Sequence, residues 1–129
     1  MFFENSTSNF EVIIARSADL TNKPYIHSVV RISGDFDDVF ADDINLSANI
    51  ICRDVEGNRI KKNDIEVEVF KSNSEFIIVL AKLHYPDEPI LWNGNKSIWM
   101  DSVSGKQCNP PNYSFDLENL ANRIRSLAN

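Results

Sequence analysis

The residues with the most distinctive chemistry lie between Ser33 and Asp43, where the sequence reads SGDFDDVFADD. No lysine or arginine occurs between Arg31 and Arg53, so no sequence neighbour neutralises the negative charge of this run. We call residues 35–43 the acidic segment; its five aspartates and two aromatic residues are Asp35, Asp37, Asp38, Asp42 and Asp43, with Phe36 and Phe40. Carboxylates grouped in this way can hold a metal ion, perform acid–base chemistry or attract a cationic partner.

The pattern within the acidic segment favours the last of these three chemistries. A calcium loop alternates its oxygen ligands around a central glycine and ends on a bidentate glutamate, whereas Phe36 and residues 39–41 interrupt the oxygens here. Acid–base work by two carboxylates needs a cleft that separates their pKa values, and neighbouring aspartates on an exposed loop provide none. Docking needs only exposure, fixed geometry and an aromatic anchor. We therefore predict a docking site for a basic protein partner; the alternative is a solvated loop that keeps the sheet soluble.

Trp92 and Trp99 flank the Asn93-Gly94 pair, which suits a type I′ hairpin turn. Indole rings at such a turn could stack on a base or sugar, or anchor a protein interface. We include both tryptophans in the predicted partner-binding site, with packing beneath a helix as the alternative.

The histidines and cysteines do not form a recognisable ligand set. His27, His84, Cys52 and Cys108 lack the close spacing of a zinc site, so we predict no metal and no cofactor. We expect His27 on the solvent side of a strand and Cys52 on the inward side. A nucleophile set of Cys108, His84 and Asp101 can be written, but no oxyanion-forming turn follows the cysteine, and we predict no catalytic residue.

Composition indicates one folded domain over residues 1–129, with residues 1–9 as a flexible N-terminus. Of the 129 residues, 43% are hydrophobic and 25% are charged, which is typical of globular chains. The net charge of −6 disfavours direct binding to nucleic acid or to an anionic membrane, because both depend on lysine and arginine. No secretory signal and no apolar run of about 20 residues is visible, so we expect a cytoplasmic protein.

The alternation of apolar residues predicts an α+β fold: an antiparallel sheet of five to seven strands with one C-terminal amphipathic helix packed on a face. The helix follows from apolar residues spaced by three and four over residues 117–128. Residues 76–83 are apolar on both sides and predict a central strand covered on both faces. The other predicted strands occupy residues 10–16, 25–33, 44–52, 65–70 and 98–100.

These observations favour a non-enzymatic binding protein of the bacterial cytoplasm, and the most concrete hypothesis is an immunity protein against a nuclease toxin. Nuclease sites are basic because they bind phosphates, so an acidic surface can compete for them and associate fast. One alternative is an assembly subunit or chaperone of a secretion or phage apparatus that uses an open sheet edge. Another is a small hydrolase or ligand-binding protein with a pocket between sheet and helix.

Overall fold

The computed structural model describes residues 9–73 and 75–128. Apart from Asn9, the flexible N-terminus predicted for residues 1–9 lies outside the described residues. Helix α1 (Phe10–Thr21) is followed by six strands and a second helix, α2 (Ser114–Ala128). A short 3-10 turn, Lys61–Asn63, precedes the third strand. The strands are β1 (Ile26–Ser33), β2 (Ile44–Arg53), β3 (Ile65–Ser72), β4 (Glu75–Lys82), β5 (Ile90–Asn93) and β6 (Ser97–Met100).

The six strands form one antiparallel sheet whose spatial order, β1 to β6, is the same as their order in sequence. Side chains alternate between its two faces. One row of the inner face runs across five strands through Ala48, Val67, Leu80, Leu91 and Trp99, each directly paired with the next. The predicted α+β fold with an antiparallel sheet and a C-terminal helix is confirmed.

Both helices lie on this inner face and pack against each other. The predicted apolar face of α2 is buried at Leu117, Leu120, Ala121 and Ile124, but Leu127 is 37% exposed and lies at its margin. The strand predicted at residues 10–16 is wrong, because this segment is the start of α1.

The sequence of α1 explains why it is a helix. Its buried residues are Phe10, Ile13, Ile14, Ser17 and Ala18, which share one helical face. The Asn9 side chain accepts a hydrogen bond from the Val12 N–H at 2.9 Å and caps the N-terminus. The β-branched residues of this segment resemble a strand when taken alone. They are helical because a cap precedes them and because the apolar helical pattern continues beyond Arg16.

The hairpin predicted at Asn93-Gly94 is present between β5 and β6, but its turn lies one residue later, at residues 94–96. Asn93 is the last residue of β5, and it is buried. The Arg125 guanidinium of α2 donates to both the backbone and side-chain oxygens of Asn93. This contact keeps Asn93 in the strand, and Gly94 does not adopt the positive φ that a type I′ turn requires.

The outer face of the sheet is not covered by either helix within residues 9–73 and 75–128. Residues 76–83 do form a central strand, but their outward side chains face this uncovered side, so the prediction of cover on both faces is wrong. None of the described helices is long and apolar enough to cross a membrane.

Candidate docking surface

The acidic segment is fixed to the body of the protein through its apolar residues. Phe36 and Val39 are both buried, and the Phe36 carbonyl accepts a hydrogen bond from the Phe10 N–H of α1 at 2.8 Å. The Arg31 guanidinium lies 5.0 Å above the Phe36 ring. Phe36 is therefore a core residue, and its prediction as a partner-contacting anchor is wrong because its side chain has no exposed surface.

All five aspartates of the acidic segment point into solvent. The Asp35 carboxylate accepts from the Asp37 N–H at 2.9 Å, and that of Asp38 accepts from the Phe40 N–H at 3.0 Å. Within the described chain, the ion pair found in the segment joins Asp37 to Arg31 at 3.5 Å. The remaining carboxylates keep their charge available, and the local turns restrict where they lie.

Phe40 is the exposed aromatic residue of the acidic segment, with 73% of its surface accessible. It is preceded by Asp38 and followed by Asp42, both exposed. Phe36 and Phe40 are the two aromatic side chains of this segment predicted to contact a partner. Because Phe36 is buried, Phe40 is the one that is positioned for such a contact.

The uncovered side of the sheet, which we call the open face, is largely apolar. Its central row runs through Ser47, Glu68, Val79, Trp92 and Ile98, in register across five strands. The other apolar side chains that alternation places on this face are Ile26, Val30, Ile32, Ile51, Phe70, Ile77, Ala81, Ile90 and Met100.

Two carboxylates stand in the middle of the open face. Glu66 and Glu68 are exposed, as their outward positions predict. Their neighbours on the adjacent strands are Asn49 and Ala81 for Glu66, and Ser47 and Val79 for Glu68. Neither glutamate forms an ion pair within the described residues. A hollow of about 230 Å³ lies over this part of the sheet.

The two tryptophans lie on opposite faces. Trp92 is 39% exposed on the open face. Trp99 is only 2% exposed, its Nε1–H donates to Glu118 of α2 at 2.8 Å, and its ring meets Tyr113 edge to face at 6.0 Å. The prediction that Trp99 contacts a partner is thus corrected: it packs beneath the C-terminal helix, the alternative that the sequence left open.

The acidic segment borders the open face. A hollow of about 340 Å³ is lined by Asp43 from the segment together with Asn45 and Phe70 from the neighbouring strands. We call the open face and the acidic segment together the docking surface. It combines exposed apolar side chains with carboxylates that other groups of the described chain leave largely unpaired.

A buried carboxylate that sequence reasoning missed lies elsewhere, between the turns that follow β2 and β4. Asp64 is fully buried; its carboxylate accepts from the Cys52 N–H at 2.8 Å and from the Arg59 guanidinium, and it lies 2.9 Å from His84 Nε2. Burial opposes ionisation, but the hydrogen bonds from Cys52, His84 and Arg59 outweigh it and lower the pKa of Asp64. Its position just before an apolar strand was the available sequence signal.

The other histidine and cysteine positions do not form a catalytic set. His27 is buried, not on the solvent side as predicted, because Asp19 of α1 accepts from its backbone N–H at 2.8 Å and lies 2.9 Å from its Nδ1. Cys52 is inward and buried, as predicted. No hydrogen bond in the described part of the chain joins His84, Asp101 and Cys108. Nor do its residues include a group of three or more histidine, cysteine or acidic residues placed to hold a metal ion.

The fold and this surface define a class of small α+β domain: a six-strand antiparallel meander with helices on one face and an open, acidic and apolar face on the other. A family model described as "Domain of unknown function (DUF8659)" matches residues 11–127. The chain belongs to that family. Neither the curated proteins nor the solved structures contain a significant match to it.

Proposed function

We propose that this protein is a non-enzymatic binding protein that docks and inhibits a basic protein partner. The observation that carries the proposal is the open face, a largely apolar surface beside the acidic segment. Glu66 and Glu68 stand in its middle and form no ion pair with the other described residues. Extended apolar surface that no element covers is typical of interaction sites. Carboxylates within such a surface select a partner that brings its own cations, because their burial without a counter-charge is costly.

The acidic segment and the open face contribute differently to this function. The exposed aspartates act mainly on the rate of encounter with a basic partner. On the docking surface, the exposed aromatic side chains of Trp92 and Phe40 can supply desolvated contacts and slow dissociation. A basic phosphate-binding site fits this surface, and we propose a nuclease toxin as the target and an immunity protein of the bacterial cytoplasm as the biological role.

Binding kinetics test the proposal. Capture from a lysate of the native host identifies the partner, and its association with the purified protein is then measured at two salt concentrations. Asp42→Asn/Asp43→Asn should slow association at low salt by roughly threefold and flatten its salt dependence, since steering is screened by ions. The matched control is Glu56→Gln/Asp87→Asn, which removes the same charge at the opposite end of the sheet.

Variants of the open face test the contact itself. Glu66→Lys/Glu68→Lys should abolish binding, and Trp92→Ala should speed dissociation at least about tenfold, as expected for a central aromatic contact. Both sites are exposed, so the fold should survive. Equal affinity of the double-lysine variant and the wild type would exclude this surface, and cleavage of nucleic acid by the partner, relieved by the protein, would support the toxin assignment.

A second candidate is an assembly or accessory subunit, and one observation favours it. β1 is an edge of the described sheet, and Ile26, Val30 and Ile32 on it are exposed. An exposed edge of eight residues can accept a further strand. Concentration-dependent oligomers in sedimentation analysis would favour this function over a one-to-one inhibitor.

A further inference from the structure

A cleft separates the two helices from one end of the inner sheet face. Its interior holds a cavity of about 70 Å³. Apolar side chains line it at Ile50, Ile65, Leu117 and Leu120, and polar ones such as Asn22, His27 and Asn63 line the remainder. A cavity needs only about 10–15 Å³ of such space for one water molecule. The interior is therefore large enough for a short apolar chain, and it lies on the side of the sheet opposite to the docking surface.

The cavity opens into a wider, polar mouth. The mouth is a hollow of about 380 Å³ lined by Lys62, Tyr85 and Glu88, and it shares Lys82 and Tyr113 with the interior cavity. A site for a small amphipathic molecule combines apolar lining with a few polar groups that fix the orientation of the ligand.

Lys82 places a cation at the junction of the cavity and the mouth. Its ammonium group donates to the Lys62 carbonyl at 3.2 Å and lies 4.7 Å above the Tyr113 ring. Burial lowers the pKa of Lys82, although Asp116 and Glu88 oppose that change. Neither carboxylate comes within ion-pair distance of Lys82 in the described structure, so the ammonium can still donate to an anionic ligand.

Tyr113 places a hydrogen-bond donor beside this cation. Its hydroxyl is buried and forms no hydrogen bond of good geometry among the described residues, although the Glu88 carboxylate lies close to it. Burial, with a smaller contribution from nearby Glu88, raises the pKa of Tyr113 to about 12, so the hydroxyl keeps its proton at neutral pH. A buried hydroxyl without a well-formed hydrogen bond is unfavourable, and a ligand oxygen that accepts from it would relieve this cost.

We propose that this cleft binds a small amphipathic carboxylate, with its carboxylate between the Lys82 ammonium and the Tyr113 hydroxyl and its short apolar chain against Ile65 and Leu120. Glu88 lines the mouth, and Asp116 lines the interior cavity. They restrict the cleft to ligands with a single negative charge, because a second one would face these carboxylates.

Titration of the full chain with hexanoate tests the proposal, and calorimetry and ligand-observed NMR measure the binding. Hexanol and hexylamine have the same chain length and serve as the neutral and cationic comparison ligands. Hexanoate should bind in a saturable way and at least about tenfold more tightly than either analogue. Absence of saturable binding, or a preference for hexylamine, would overturn the assignment.

Two variants locate the ligand. Lys82→Met keeps the length of the side chain and should weaken hexanoate binding at least about tenfold while leaving hexanol binding unchanged. Tyr113→Phe removes only the hydroxyl and should weaken hexanoate binding about threefold or more. This variant still tests the site if the lysine variant fails to fold.

Lys106→Met, at an exposed lysine outside the cleft, is the control and should bind hexanoate as wild type does. Unchanged hexanoate affinity in both cleft variants would exclude this site.

Discussion

Asp64 joins three parts of the chain through one buried carboxylate: β2 through the Cys52 N–H, the turn at Arg59 and the residue His84 that follows β4. The lowered pKa of Asp64 has a defined consequence for stability. An aspartate in an unfolded chain has a pKa of about 3.9. The folded state binds this proton less tightly, so the contribution is present above that pH and is lost as the pH falls through the folded pKa.

Asp64→Asn should lower the free energy of unfolding by about 1–3 kcal/mol at pH 7, since charge-assisted hydrogen bonds are lost at a buried position. It should also reduce the loss of stability between about pH 5 and pH 3. Urea denaturation at several pH values measures both effects. Asp87→Asn, at an exposed aspartate, is the control. If the Asp64→Asn variant lost stability in acid to the same extent as wild type, the assignment would be contradicted.

Gly34 determines where the acidic segment begins. Its φ is +96°, and an added Cβ would collide with the backbone of Asn45 and Leu46. Gly34→Ala should therefore destabilise the protein by more than Gly57→Ala, because Gly57 has a similar φ of +91° but open space around it. The control should cost about 1–2 kcal/mol, the strain of the left-handed region alone. Equal unfolding free energies in the two variants would show that the collision is relieved by a backbone shift.

At the level of elements, α2 offers a matched pair of leucines. Leu120 is 5% exposed and faces the sheet, whereas Leu127 is 37% exposed on the same helix. Leu120→Ala should destabilise the fold by about 2–5 kcal/mol, the range for emptying a packed core position. Leu127→Ala makes the same chemical change and should cost less than about 1 kcal/mol. Chemical denaturation decides, and similar losses would mean that α2 is peripheral to stability.

The elements also show which parts of the fold the sequence predicts. Strands such as β2 alternate cleanly, with Leu46, Ala48 and Ile50 all inward, and period-two patterns of this kind are reliable. In α1 the β-branched run also resembles a strand, and the local signals for helix are the Asn9 cap and the apolar spacing that continues to Ala18. The contact of this apolar face with α2 joins distant parts of the sequence, and no local pattern contains that contact.

The candidate site was predictable in charge but not in detail. The exposed aspartates follow from their density, but Phe36 and Phe40 both lie within the acidic segment and have opposite environments. Which ring is buried depends on the hydrogen bond between Phe10 and Phe36 and on the core beneath it. Trp92 and Trp99 differ for a similar reason: their distance of seven residues spans a turn, and the turn determines their faces.

For the whole molecule, the two free cysteines and the absence of a metal-holding group in the described ranges lead to a simple expectation. A chelator or a reductant should shift the melting temperature by less than about 1 °C, whereas proteins that depend on a structural metal unfold when it is removed. Calorimetry with EDTA and with dithiothreitol in separate samples measures this. A stoichiometric ion in elemental analysis would contradict it.

The order of the strands has a further consequence for how the chain folds during synthesis. Each strand pairs with the strand before it, so the sheet can form progressively as the polypeptide leaves the ribosome. The inner face behaves differently, because α1 is made first and α2 last, and the two helices pack against each other above the same strands. A nascent chain therefore holds a complete sheet that lacks part of its apolar cover until the fifteen residues of α2 emerge, and during this interval the inner face is exposed to aggregation.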